Sequence, residues 1–164
     1  MFTIRRAQLC DLSEIKELAA ITVPQAFEGI LTTEQIDYLE DLYYSQQALS
    51  AAFNTEQIFF IAHEGDTPVG YASVLQEGPD LFHMPKIYVL REKQHQGIGT
   101  ALIDNITAHV KKVHPGPCTL ELFVSNFNTS RGFYDKQGFA KVRERRVEFE
   151  NGFNFIQDVL QRPL

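Results

Sequence analysis

A chain of 164 residues, 44% of them hydrophobic, is long enough for a real core and too apolar for wholesale disorder. Its formal charge of −6 argues against a nucleic-acid partner, because phosphate backbones demand clustered Lys and Arg. No apolar run approaches the ~20 residues of a membrane helix, and Met1 to Arg6 contains no signal-peptide core. No membrane role is expected, and a soluble cytoplasmic protein is.

In chain order, Phe2 to Arg6 reads as a short strand. Asp11 reads as a helix N-cap, with Glu14 at capping-box spacing, and Leu12, Ile15, Leu18, Ala19 and Thr22 share one face. Pro24 is expected to stop that helix. Thr32 to Gln35 opens a second helix to about Leu42, and Ser45 a third through about Phe53. Ile58 to Ala62 and Pro68 to Leu75 are strand-like around a Gly65-Asp66 turn, and Gly78-Pro79 marks another turn. Phe82 to Leu90 is a strand, followed by a glycine loop and a helix to about Val113, which Pro115-Gly116-Pro117 ends. Cys118 to Val124 is a strand with Leu120, Leu122 and Val124 on one face, and Thr129 to Lys136 a short helix closed by Gly138. Ala140 to Phe149 and Asn154 to Leu160 are strands joined through Asn151-Gly152, a strong hairpin signal. No repeat or linker interrupts residues 1–164, so the expectation is one α/β domain with a mixed, largely antiparallel sheet flanked by helices.

Cys10 and Cys118 lie far apart among apolar neighbours and read as reduced, buried residues. The five histidines show no ligand spacing with Cys or carboxylates, so no metal is expected. The basic cluster Lys141 to Arg146, interrupted by Val142 and Glu144, reads as the exposed side of a strand. The acidic balance is compatible with a cationic small substrate.

The most informative segment is Gln94-His95-Gln96-Gly97-Ile98-Gly99-Thr100, between the apolar strand Ile87 to Leu90 and the helix that begins near Ala101. Glycines there permit a tight turn and close approach of a ligand, and a helix start offers unpaired N–H groups and the positive end of its dipole. That is a place for phosphate. A P-loop would need Lys-Ser or Lys-Thr after the second glycine, and Ala101-Leu102 follow Thr100 instead. A dinucleotide fold would need a third glycine, where Leu102 stands, near the first strand of the chain.

The run Tyr88-Val89-Leu90, four residues, then His95-Gln96-Gly97-Ile98-Gly99-Thr100-Ala101-Leu102 resembles the acetyl-CoA signature of the GNAT N-acetyltransferase superfamily. That signature has Arg or Gln, two residues, Gly, one residue, then Gly or Ala, and Gln94, Gly97 and Gly99 occupy those places. Downstream, Phe133-Tyr134-Asp135-Lys136-Gln137-Gly138-Phe139 resembles the family's Phe-Tyr-Glu-Lys-x-Gly-Phe segment. A weaker likeness, in Tyr44 to Leu49 and Asp158 to Leu164, is to the polyamine-acetylating branch.

The resemblance implies direct transfer of acetyl from acetyl-CoA to a primary amine on a small molecule or peptide, with no acyl-enzyme. It implies that main-chain N–H groups of Gln94, His95, Gln96, Gly97, Ile98, Gly99 and Thr100 hold the pyrophosphate. Ile87, Tyr88 and Val89 would pair with the pantetheine arm, in a slot opened by splaying of Phe82–Leu90 from Cys118–Val124. Phe133 and Asn128 would also face that arm; Asn126 and Asn128 flank Phe127, where the family's common Asn would fall. Tyr134 would be the proton donor to the departing thiolate. The base is open: the family often has Glu on the strand before the loop, and here it is missing. His83, with a suitable ordinary pKa, or water leading to Glu77, could serve. His95 reads as solvent-facing rather than catalytic. Val23 to Phe27 and Tyr43-Tyr44 fall where the family builds its acceptor wall. Family members often dimerise through the last strands, which makes a homodimer an expectation. The alternative function is a non-catalytic acyl-CoA-binding or regulatory module of the same fold; a nucleotide-binding domain would be a third.

Overall fold

In the computed structural model, which describes residues 1–164, the elements run β1 (Thr3–Arg6), α1 (Leu12–Phe27), α2 (Thr33–Tyr44), α3 (Gln46–Asn54), β2 (Ile58–Glu64), β3 (Thr67–Gly78) and β4 (Leu81–Val89). Then follow α4 (Ile98–Val113), β5 (Thr119–Ser125), α5 (Arg131–Lys136), β6 (Ala140–Glu148) and β7 (Asn154–Pro163). The strands form one seven-stranded sheet in the order β1-β2-β3-β4-β5-β7-β6. Every neighbouring pair is antiparallel except β4 with β5.

That parallel pair is a short seam in the sheet. Its register holds only for Leu81 with Thr119, Phe82 with Leu120 and His83 with Glu121. Beyond His83 the two strands part, so Met84 to Val89 keep β3 on one side and have no strand on the other. The splay expected at these strands is present.

Helices cover both faces. Adjacent residues of a strand point to opposite sides. On β2, Phe59 stacks on Phe53 of α3 while the Phe60 ring meets His109 of α4. On α4, Ile98, Leu102, Ile103, Ile106 and Val110 are all buried at helical spacing. At ~25 cal/mol per Å2 of apolar area, each such aliphatic side chain contributes on the order of 2 kcal/mol.

Several local expectations are corrected. Asp11 does not cap α1: its carboxylate accepts from the Gln8 N–H at 2.7 Å and pairs twice with Arg5 at 2.8 Å. A 3-10 turn at Leu9–Asp11 precedes the helix, and Glu14 turns to His63 at 3.1 Å. The guanidinium of β1 outcompetes the helix N–H groups for this carboxylate, holding its pKa down at about 2. Pro24 lies inside α1, which continues to Phe27. Proline removes only one N–H, and the turn that follows is anchored from outside, because Arg91 donates to the Gln25 carbonyl at 2.9 Å and to Glu28 at 2.6 Å. Cys10 is exposed on the 3-10 turn; Cys118 is buried as expected, and both are free thiols. Strand β7 extends past Leu160 to Pro163 because β5 pairs with it along its whole length. By contrast, Thr32 forms the full capping box with Gln35, and Gly152 turns the β6–β7 hairpin at φ +84.

Candidate active site

Two cavities are lined by residues of β4 where it has parted from β5. The first, about 760 Å3, is a groove along the glycine loop. Its walls include Ile87, Tyr88 and Val89 of β4, Gln94, His95, Gly97, Gly99 and Thr100 of the loop, and Asn128, Phe133 and Tyr134 beyond β5. Thr22, Gln25 and Ala26 of α1 complete it with Arg91, Thr129 and Ser130; Gln25 and Ala26 belong to the segment expected at the acceptor wall, and the other four were not expected at the site. No Asp or Glu lines this groove, and Arg91 does.

The loop presents a run of main-chain N–H groups that have no partner in the protein. His95 has φ +63 and Gly97 φ +88, two left-handed residues that turn successive N–H groups toward one side. None of His95, Gln96 and Gly97 donates a main-chain hydrogen bond within the protein. Ile98, Gly99 and Thr100 form the first helical turn, whose N–H groups have no intrahelical partner. The first bonded amide is that of Ala101, to the Gly97 carbonyl at 3.0 Å. Gln94 is different from the expectation: its N–H goes to the Arg91 carbonyl at 3.3 Å, and its side chain to the Val89 carbonyl at 3.2 Å.

The two glycines have separate reasons. At Gly97 the left-handed backbone disfavours any Cβ although the space is open, whereas at Gly99 a Cβ would stand 3.0 Å from the Phe133 ring. Two loop residues expected to offer main-chain N–H groups have side chains turned away from the groove. Gln96 donates to the Glu92 carbonyl at 3.3 Å, and Ile98 is in the core. Asn128 uses its side-chain oxygen to accept the Ser130 N–H at 2.7 Å, a local turn that introduces α5, yet it lines both cavities.

The second cavity, about 240 Å3, is lined by Leu39, Met84, Leu122 and Val124 among other apolar residues. Val23, Phe27, Tyr43 and Tyr44, from the segments expected at the acceptor wall, line it. So do His83 and Lys86 of β4, Phe123 of β5, and Arg145, Phe149 and Gln157 of the last hairpin. The groove and this cavity share Ile87, Tyr88, Asn128 and Tyr134.

Tyr134 is buried between Phe133 and Phe139, and its hydroxyl has no hydrogen-bond partner in the protein. Burial, with Tyr88 adding to it, raises its pKa well above the ordinary phenol value, so it stays protonated throughout the neutral range. Behind it, the Tyr71 hydroxyl donates to Tyr44 at 3.0 Å, and Tyr88 is pushed up to about 12, mainly by burial.

His83 is buried against the Phe123 ring, centroids 4.3 Å apart, with Nδ1 3.7 Å from a Glu121 oxygen. Burial lowers its pKa to about 4 against the opposing pull of Glu121, so the imidazole is neutral at pH 7. Glu77, His83 and Glu121 bring one possible ligand atom each within 4.8 Å of one another. Local spacing hid this group, because pairing of β3, β4 and β5 assembles it. Glu77 is exposed and Glu121 buried, and of the three only His83 lines the second cavity.

The family model for the Acetyltransferase (GNAT) domain matches residues 28–158. The chain is 26% identical over 163 residues to an N-alpha-acetyltransferase of Sulfurisphaera tokodaii, with 92% of this chain and 87% of that one covered. It is 25% identical over 175 residues to an N-alpha-acetyltransferase of Saccharolobus solfataricus, covering 99% and 93%. Among solved structures it is similar to PaiA N-acetyltransferase from Thermoplasma acidophilum in complex with coenzyme A, at 20% identity and TM-score 0.83, covering 100% and 99%. No helix is long and apolar enough to cross a membrane. With a family match over most of its length and the same fold as its solved relatives, the chain belongs to the GNAT acetyltransferase family.

Proposed function

We propose that this chain is an acetyl-CoA-dependent N-acetyltransferase that passes acetyl directly to a primary amine. The observation that carries the reading is the meeting of two cavities at Ile87, Tyr88, Asn128 and Tyr134. A thioester reaching along the groove would arrive where an amine in the second cavity can attack it. The free N–H groups from His95 to Thr100 suit the diphosphate of coenzyme A, and the unpaired side of β4 at Met84 to Val89 suits the amides of its arm. The names of the two archaeal relatives favour an α-amine acceptor.

In this reading the protein's own groups manage two protons. An alkylammonium has a pKa near ~10.4 and must lose a proton before its nitrogen attacks. Neutral His83 can accept a hydrogen bond from that nitrogen and relay its proton toward Glu121, Glu77 and solvent; with a pKa of about 4 it holds the proton only transiently. As the carbonyl carbon gains its bond to nitrogen and the carbon–sulfur bond breaks, charge collects on sulfur. Tyr134 donates a hydrogen bond to that sulfur. With a pKa well above the ~8.5 of an ordinary thiol, the phenol stabilises the thiolate chiefly by donating and remains protonated itself.

The test is acetyl-CoA consumption over a panel of amines, paired with calorimetry of coenzyme A and ATP. Thiol release that depends on an amine, with coenzyme A bound and ATP not, supports the reading. Binding without turnover for every amine would instead make the chain a regulatory acyl-CoA-binding module.

A further inference from the structure

We propose that the acceptor amine carries a carboxylate, and that Lys86 and Arg145 hold it in the cavity beyond Tyr134. This rests on the acetyltransferase reading and names the substrate class for its second site. The cavity contains two basic side chains, Lys86 and Arg145, and no Asp or Glu on its lining. A site meant for a polyamine would present the opposite charge. Here a second ammonium on the acceptor would sit beside two like charges in a half-enclosed space, where repulsion is screened little.

Neither cation is neutralised within the protein. Lys86 is only 8% exposed, and its ammonium faces the rings of Tyr44 and Tyr43, at 5.2 and 5.9 Å from their centroids. Arg145 is half-buried over the Phe123 ring at 4.1 Å. Neither makes a salt bridge; the nearby carboxylates are engaged elsewhere. Glu121 faces His83 and Arg143, and Asp158 pairs with Arg131 and Lys141. Glu40 belongs to a separate hollow with Asp37 and Asp41 that shares Tyr44 with this one.

A buried cation without a counter-charge is costly unless something completes it. An anionic ligand group completes both, and a carboxylate matches the planar fork of Arg while Lys supplies a point charge. The aromatic walls shield the pair from water and strengthen it. The cavity is small, so the anion belongs close to the amine: on a free amino acid, or on an acidic residue at or next to a peptide N-terminus.

Steady-state rates should be compared for matched acceptors: glutamate against its amide, peptides beginning with acidic against amide residues, and spermidine. The expected result is a preference of at least about tenfold in kcat/KM for the anionic member, chiefly through KM. The peptide and amino-acid arms separate the two sources. Lys86→Met is expected to erase most of that preference, and Lys86→Glu to reverse it toward cationic amines. A wild-type preference for spermidine or for the amides overturns the inference, as does a Lys86→Glu variant with an unchanged ratio. Calorimetry of an N-acetylated acidic amino acid on coenzyme A-loaded protein gives a readout independent of turnover. If no amine is acetylated, binding of that anion, lost in folded Lys86→Glu, sustains the anion site while the transferase reading falls; absence of binding to the wild type sinks the site.

Discussion

The ring of Phe133 stands 3.0 Å from the point where a Cβ on Gly99 would be. One side of the groove is therefore a glycine from the loop packed on an aromatic from a segment more than thirty residues later in the chain. The two motifs by which this chain resembles its family meet physically at that contact.

Adding a methyl group at position 99 must displace that ring, which lines the groove. Gly99→Ala is expected to lower coenzyme A affinity about tenfold with little loss of stability. Adding Phe133→Leu to it is expected to recover part of the loss, a coupling that a double-mutant cycle by calorimetry measures. Gly97→Ala should behave differently. Nothing obstructs its methyl group, but the backbone at φ +88 is strained for alanine, at a cost of about 1 kcal/mol, read by urea unfolding.

Removing the Tyr134 hydroxyl takes away one donor and leaves the ring packed between Phe133 and Phe139. Tyr134→Phe is expected to lower kcat about a hundredfold and to leave coenzyme A affinity within about twofold. Steady-state kinetics beside calorimetry checks both halves. Unchanged kcat would remove this residue from the chemistry.

His83 ties stability to pH. Its folded pKa of about 4 lies below the ordinary 6.5, so between those values the unfolded chain binds the extra proton. Stability from this group is intact above about pH 6.5 and is lost as pH falls toward 4, by roughly 3 kcal/mol in all. His83→Gln is expected to flatten that part of the curve relative to wild type in urea titrations from pH 7 to 4. If His83 is the base, the same substitution also lowers kcat about a hundredfold while coenzyme A still binds.

Lys86 has the opposite balance between folding and binding. Burial brings its pKa down to about 8 from 10.5, so below pH 8 the folded protein carries a desolvated ammonium. Stability rises as pH climbs from about 8 to 10.5, where the unfolded chain holds more protons. Lys86→Met is therefore expected to raise stability at pH 7 by about 1–3 kcal/mol while damaging acceptor selection. Urea midpoints at pH 7 and pH 10, with the gain shrinking at pH 10, test the sign.

Much of the frame was readable from local pattern. The β4–loop–α4 junction combines an apolar strand, two glycines and an amphipathic helix within one short stretch, and the Thr32–Gln35 box and the Asn151-Gly152 turn are equally local. Asp11 was misjudged because its partner, Arg5, lies on another element and competes with the helix end. Arg145 was read as one of a solvated row, and two neighbours in that row, Lys141 and Arg143, are indeed exposed. A register shift between those two residues changes which side chains oppose β7, and another between Ser73 and Leu75 does the same opposite β4. Strict alternation cannot be carried through such bulges. The second cavity takes its charged groups from β4 and β6, nearly sixty residues apart, so no window of sequence contains it.

The parting of β4 from β5 also bears on how the purified protein will behave. Main-chain groups left without a neighbouring strand form a template on which a segment of another molecule can align. Pro85, with no N–H to offer, interrupts that template, leaving an intruder few consecutive bonds. A ligand whose amides occupy the row closes it, so material stored with coenzyme A is expected to stay clear on warming longer than the bare chain.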